Sequence, residues 1–219
     1  MYRQILYVQW CALRLPVVLL GVLAFALPLL TVTYGGGLEG APPGQVAQWL
    51  YAAQQIGQLV PYVAMLAGVL LGIGSWAPDH AGKHVYALSL PVTRARYVWL
   101  RFAAGTTLLL VPVTAIGIGA LVATVSVRLP SGVHAYPLAL TARFLLASFV
   151  CYAIFFTIAI STRRAALAVL GGIGGLLLAD AVLWGFGVGA TVTPTVFMWL
   201  TNWPGPLSIL IGRWALFDV

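Results

Sequence analysis

The stretch VWLRFAAGTTLLLVPVTAIGIGALVATVS, residues 98–126, carries a single charge, Arg101, near its start. An α-helix needs about 20 predominantly apolar residues to cross the hydrocarbon core of a bilayer. This run is long enough, and only a helix satisfies its own backbone donors in lipid, where an open strand leaves them unpaired. Working outward, four more runs of the same kind stand at 15–33, 56–76, 138–161 and 165–189. No alternating ten-residue pattern points to a barrel. The expected fold is therefore all-α: one polytopic transmembrane helical bundle over residues 1–219, with five clear spans.

Composition supports this reading. Of 219 residues, 62% are hydrophobic and 7% charged, with a mean hydropathy of +1.01. A soluble domain carries roughly 25% charged residues, so this chain cannot cover a water-exposed surface. The net charge of +7 is then read by position. Arg3, Arg14, Lys83, Arg94, Arg96, Arg101, Arg163 and Arg164 fall on one side of the expected spans, while Arg128 and Arg143 fall on the other. Cations concentrate on the cytoplasmic side, which places the N-terminus and the Pro78–Tyr97 stretch in the cytoplasm and the 34–55 connection outside. No soluble basic face suggests a nucleic-acid partner.

The N-terminal MYRQILYVQWCALR repeats Ile5, Leu6, Trp10 and Leu13 at helical spacing between Arg3 and Arg14. It reads as a short interfacial helix over 1–14, or else as a downward extension of the first span. The run from Leu15 to Val32 exceeds the apolar core of a secretory signal, so a permanent span is expected. At the other end, Pro194, Pro204 and Pro206 interrupt the apolar tail. Residues 194–217 read as broken helices on the outer face, or as a kinked sixth span over about 194–213. Cys11 and Cys151 are far apart in apolar contexts and read as small buried hydrophobes.

Sites of chemistry are sparse. The only Gly-Lys pair, Gly82-Lys83, is followed by His84, so the phosphate-cradling pattern GxxxxGK[ST] is absent. His80 and His84 share a helix spacing but lack a carboxylate or cysteine set, which makes a poor metal signature. Gly171 and Gly175, like Gly68 and Gly72, form small-xxx-small faces that let helices approach. Asp180 and Arg143 are expected at similar depth, in the outer part of the bilayer. A charge there is costly unless paired, so the two are expected to pair between the fourth and fifth spans, as a structural tie or on a transport path. Gln54, Gln55 and Gln58 crowd the outer end of the second span, where they line an aqueous cavity or sit at the headgroups.

Between the second and third spans lies PDHAGKHVYALSLPVTRARY, residues 78–97. A turn, a short amphipathic helix carrying Val85, Leu88 and Leu90, a break at Pro91 and a basic start to the next span succeed one another there. This arrangement resembles the membrane subunit of ABC exporters of the ABC-2 family, whose first cytoplasmic loop carries an acidic residue, Gly-Thr, a leucine-rich helix and a Leu-Pro-(Val/Leu)-(Ser/Thr)-Arg turn. Asp79 matches the acidic position, Gly82 the glycine, and Leu88-Ser89-Leu90-Pro91-Val92-Thr93-Arg94 the remainder; Lys83 stands where Thr is usual. The resemblance implies a coupling helix over about 79–90 that docks on a separate ABC ATPase, with Asp79, Gly82, Leu88, Pro91 and Arg94 as coupling residues. It also implies a second permease subunit (a homodimer or heterodimer), no catalysis and no cofactor in this chain, and ATP with Mg bound by the ATPase. The setting it implies is a bacterial inner membrane. The family's sixth span corresponds here either to the kinked 194–213 segment or to a helix beyond the last residue. Two rival expectations remain: an anchor or assembly subunit of a membrane complex, and an intramembrane enzyme.

Overall fold

The computed structural model describes residues 1–33, 42–81, 93–130, 132–161, 163–185, 198–199, 205, 208–210, 212 and 214–218. Seven helices stand among them: α1 (Tyr2–Thr33), α2 (Pro43–Gly57), α3 (Val60–Gly74), α4 (Ala77–Ala81), α5 (Arg94–Ser126), α6 (Pro137–Ser161) and α7 (Arg163–Gly185). A 3-10 turn, Ser208–Leu210, and two short strands, β1 (His134–Ala135) and β2 (Phe217–Asp218), complete them. Among the described residues, four segments are long and apolar enough to cross a membrane: α1, the α2–α4 run, α5 and α6. Their exposed faces are rich in large apolar side chains such as Leu15, Val22, Leu66, Ile118 and Leu138. Water does not tolerate so much contiguous apolar surface, and the chain is an integral membrane protein. The apolar part of α7, Leu167–Leu183, is shorter, and the expected fifth span beyond Gly185 lies outside the described residues.

The spanning helices form a closed ring. α1 packs on α5 and α3 on α6; α5 meets α6, and α1 meets α3. Close approach fixes the directions. A methyl on Gly119 of α5 would lie 2.5 Å from the Phe25 carbonyl oxygen of α1, and Gln9 meets Arg101, so these helices run parallel. Gly68 of α3 lies against Ser148 and Cys151, and Gly72 against Phe155 and Phe156, so α3 and α6 also run parallel. Gly117 beside Thr141 and Gly105 beside Tyr152 make α5 and α6 antiparallel. Apolar side chains gain little by leaving lipid for one another, so close packing through small residues carries such contacts.

The separate surface helix expected over 1–14 is absent as an element, because Tyr2–Thr33 is one helix. Its first turns nevertheless leave the direction of α5. Tyr2 lies seven residues before Gln9, yet its hydroxyl bonds Thr107, six residues beyond Arg101. A straight helix parallel to α5 would put Tyr2 about 20 Å away from Thr107 at 1.5 Å per residue. The axis therefore turns between Tyr2 and Gln9. The second span departs from expectation too. Pro42-Pro43 starts a helix rather than breaking one, since proline suits the first helical position, where no donor is needed. The connection expected over 34–55 thus contains α2, and a turn at Gln58-Leu59, just before Pro61, links it to α3.

Two apolar clusters fill the ring. One, at the α2 end, gathers Leu27, Trp49, Ile116, Phe144, Trp214 and Phe217. The Trp49 indole donates to the Thr31 carbonyl at 3.0 Å and so satisfies one of the orphan acceptors ending α1. Its ring lies 5.0 Å from that of Phe217, which β2 holds antiparallel to β1. Residues 214–217 of the tail are therefore seated at this end; most of 194–213, expected as broken helices or a sixth span, lies outside the described residues. The other cluster, at the α4 end, joins Leu13, Val17, Leu71, Leu109, Tyr152 and Phe156.

Candidate functional site

Polar chemistry concentrates where α4 meets the start of α5. Asp79 lies in α4, and Tyr97 and Arg101 occupy successive turns of α5, four residues apart and hence on one face. Asp79 and Arg101 are 3% and 2% exposed, and an Arg101 Nη1 nitrogen pairs directly with Asp79 Oδ2. The Tyr97 hydroxyl donates to both carboxylate oxygens, at 3.1 and 3.0 Å, and accepts from Arg101. Arg101 Nε donates to the Ser75 carbonyl at 2.6 Å, which satisfies an acceptor at the C-cap of α3. The guanidinium carbon stands 5.1 Å from the Trp76 ring centroid and 5.4 Å from that of Tyr97, the geometry of a cation–π contact.

The surrounding helices close on this cluster through the α5 backbone. Gln9 of α1 donates its Nε2 to the Arg101 carbonyl at 3.2 Å, and Tyr152 of α6 donates its hydroxyl to the Phe102 carbonyl at 3.0 Å. Phe102 packs against Tyr152 and Phe156, each with ring centroids 5.2 Å away. Burying two charges is costly, and good geometry with full hydrogen bonding offsets that cost. Here the carboxylate takes two donors, and the guanidinium finds an acid, a carbonyl and two rings. A cavity of about 140 Å³ opens on the other side, lined by Ile5, Val8, Pro78, Asp79, Tyr97 and Arg101.

The structure distributes the other expected site residues unequally. Asp79 is expected at a docking surface, but its carboxylate is buried against Arg101; Arg94 begins α5 at the surface. Gly82, Leu88 and Pro91, with most of the expected 79–90 helix, lie outside the described residues, as does His84. Arg143 and Asp180 are expected as a pair. The contacts described for Arg143 are instead with the tail: its guanidinium carbon stands 4.8 Å from the Trp214 ring centroid, and its Nε donates to the Ile209 carbonyl at 3.4 Å. Asp180 is 6% exposed, on a helix whose neighbouring residues are open. Gln54 and Gln58 line a second cavity, of about 110 Å³, with Gly212, Trp214 and Ala215; Gln55 does not.

Tyr97, Gln9 and Ser75 escape a reading of the sequence, and Arg101 is read there only as one of the cations flanking a membrane. The available signal is the position of Arg101 inside an apolar run, where an ionisable residue calls for a partner; its spacing of four from Tyr97 adds to it. Chemically, the cluster is a buried ion pair bridged by the Tyr97 phenol, and the nearby Ser75 hydroxyl donates to the Leu71 carbonyl. No family model matches this sequence, and neither a curated protein nor a solved structure gives a match.

Proposed function

We propose that the chain is the permease subunit of an ATP-driven exporter of the ABC-2 kind. The observation that carries this reading is the bracketing of the Leu88–Arg94 motif. The residues that precede it (Asp79) and follow it (Tyr97, Arg101) are tied together by a buried ion pair on a bundle of apolar spanning helices. A stretch read as an ATPase contact is thus fastened at its base to the helices it has to move. In this reading the N-terminus and residues 77–97 face the cytoplasm of a bacterial inner membrane. A separate ABC ATPase binds ATP and Mg, and a second permease subunit completes the pathway. Docking falls to Gly82–Leu90, with Leu88 as its apolar contact, while Asp79 acts from within the bundle.

The test is a pull-down of the full chain from native membranes in mild detergent, comparing wild type with Leu88→Asp. An ATPase chain carrying GxxxxGK[ST] is expected to copurify with wild type and to be lost from the variant. If monodisperse wild type brings down no nucleotide-binding chain, the exporter reading fails and an anchor or assembly subunit takes its place.

A further inference from the structure

Asp79 and Arg101 are the two buried members of an ion pair that spans the 82–92 stretch, one residue on each side of it. Three features distinguish this pair from an ordinary buried tie. It joins the short helix α4 to a long spanning helix, so the two ends of the intervening stretch cannot separate while it holds. It reaches every helix of the ring: α3 through the Ser75 carbonyl, α1 through Gln9 on the Arg101 carbonyl, and α6 through Tyr152 on the next carbonyl. It also borders a cavity. Trp76 and the Ser75 carbonyl press on the guanidinium from the α3 side, while the 140 Å³ cavity lies toward Ile5 and Val8 of α1.

We infer that Asp79, Tyr97 and Arg101 form a clasp that makes them positioning residues for energy coupling. The clasp passes displacement of the 82–92 stretch to α5, and from α5 to α1, α3 and α6. The inference rests on the permease reading and adds to it a set of residues that touch neither ATPase nor substrate. Coupling of this kind needs a rigid element with more than one packed arrangement. The rigid part is the hydrogen-bonded clasp, and the cavity beside Ile5 and Val8 gives α4 room to move toward α1.

The experiment compares wild type with the double variant Asp79→Asn/Arg101→Gln, as complexes affinity-purified with their ATPase from native membranes. Removing both charges avoids the uncompensated buried charge that a single change leaves, so the fold is expected to survive, and the amide oxygen introduced at position 79 still accepts from Tyr97. Three quantities are read: thermal midpoint, ATPase copurified per permease, and rate of ATP hydrolysis by the complex. The clasp predicts an unchanged midpoint and unchanged copurification, with hydrolysis lowered about tenfold toward the rate of the isolated ATPase. Should the double variant fail to fold, Tyr97→Phe, which removes one hydroxyl, is expected to lower the rate about threefold with docking intact. Hydrolysis at the wild-type rate in a folded variant overturns the clasp and leaves the permease reading standing. Absence of any ATPase from wild type overturns both.

Discussion

Helices α3 and α7 carry the same small-residue spacing, Gly68-xxx-Gly72 and Gly171-xxx-Gly175, and the fold uses them in opposite ways. In α3 the pair is closed. A methyl on Gly68 would stand 2.5 Å from Cys151 Cβ and from the Ser148 oxygen, and one on Gly72 would stand 2.9 Å from the Phe156 nitrogen. In α7 the pair is open, with nothing among the described residues within 4 Å of either position. The acidic residues also differ in their setting. Asp79, beyond the end of α3, is locked into the ring by Arg101 and Tyr97, whereas Asp180 is a buried point on a helix whose main packing partner is α6. A glycine pair says that a helix can be approached closely; its neighbours decide whether the chain itself does so.

The contrast is broken or sharpened first at the acids. Asp79→Ala, or Arg101→Ala, leaves a buried charge without its counter-ion and is expected to cost about 3–5 kcal/mol, read as a large drop in thermal midpoint in detergent. Asp180→Ala in the same assay gives the comparison. A loss of similar size would show α7 fastened as firmly as α4, and the two regions would no longer differ in kind.

The glycines come next. Gly68→Ala forces α3 away from α6 against backbone and Cβ atoms, which cannot swing aside, and is expected to cost about 1–3 kcal/mol. Denaturant unfolding followed by tryptophan fluorescence reads it, since Trp76 lies in the cluster that α3 and α6 share. An unchanged midpoint would mean that the two helices are held apart by other contacts.

Spans and closeness of approach are legible in the sequence for different reasons. Residues 98–126 announce their helix because an apolar run that long has one stable form in lipid. The expected 34–55 connection hides a helix because proline both stops and starts helices, and only the residues after Pro42-Pro43, a helical run through Gly57, decide which. Asp79 is singled out by its place before a recognisable motif, but its burial depends on Arg101, 22 residues away. No local pattern states such a distance. Arg143 and Asp180 are matched by depth alone, and depth does not fix which face of each helix turns toward the other. The tail supplies Trp214 and the Ile209 carbonyl to Arg143, contacts that span more than sixty residues and leave no local trace in the sequence.

The smallest expected effect tests the open side of the comparison. Gly171→Ala adds a methyl where no atom of the described residues lies within 4 Å. Within one chain it removes only glycine's backbone freedom, which favours the helix by up to about 1 kcal/mol. The thermal midpoint of the detergent-solubilised single chain is therefore expected to stay level or rise slightly. The same variant measured in native membranes carries different information, because lipid yields to one methyl and a packed helix does not. If the midpoint holds in detergent but falls by more than about 1 kcal/mol in the membrane, the Gly171–Gly175 face is covered there by a protein surface as close as the one α6 presents to Gly68. If both hold, α7 faces lipid, and its glycines serve no close contact.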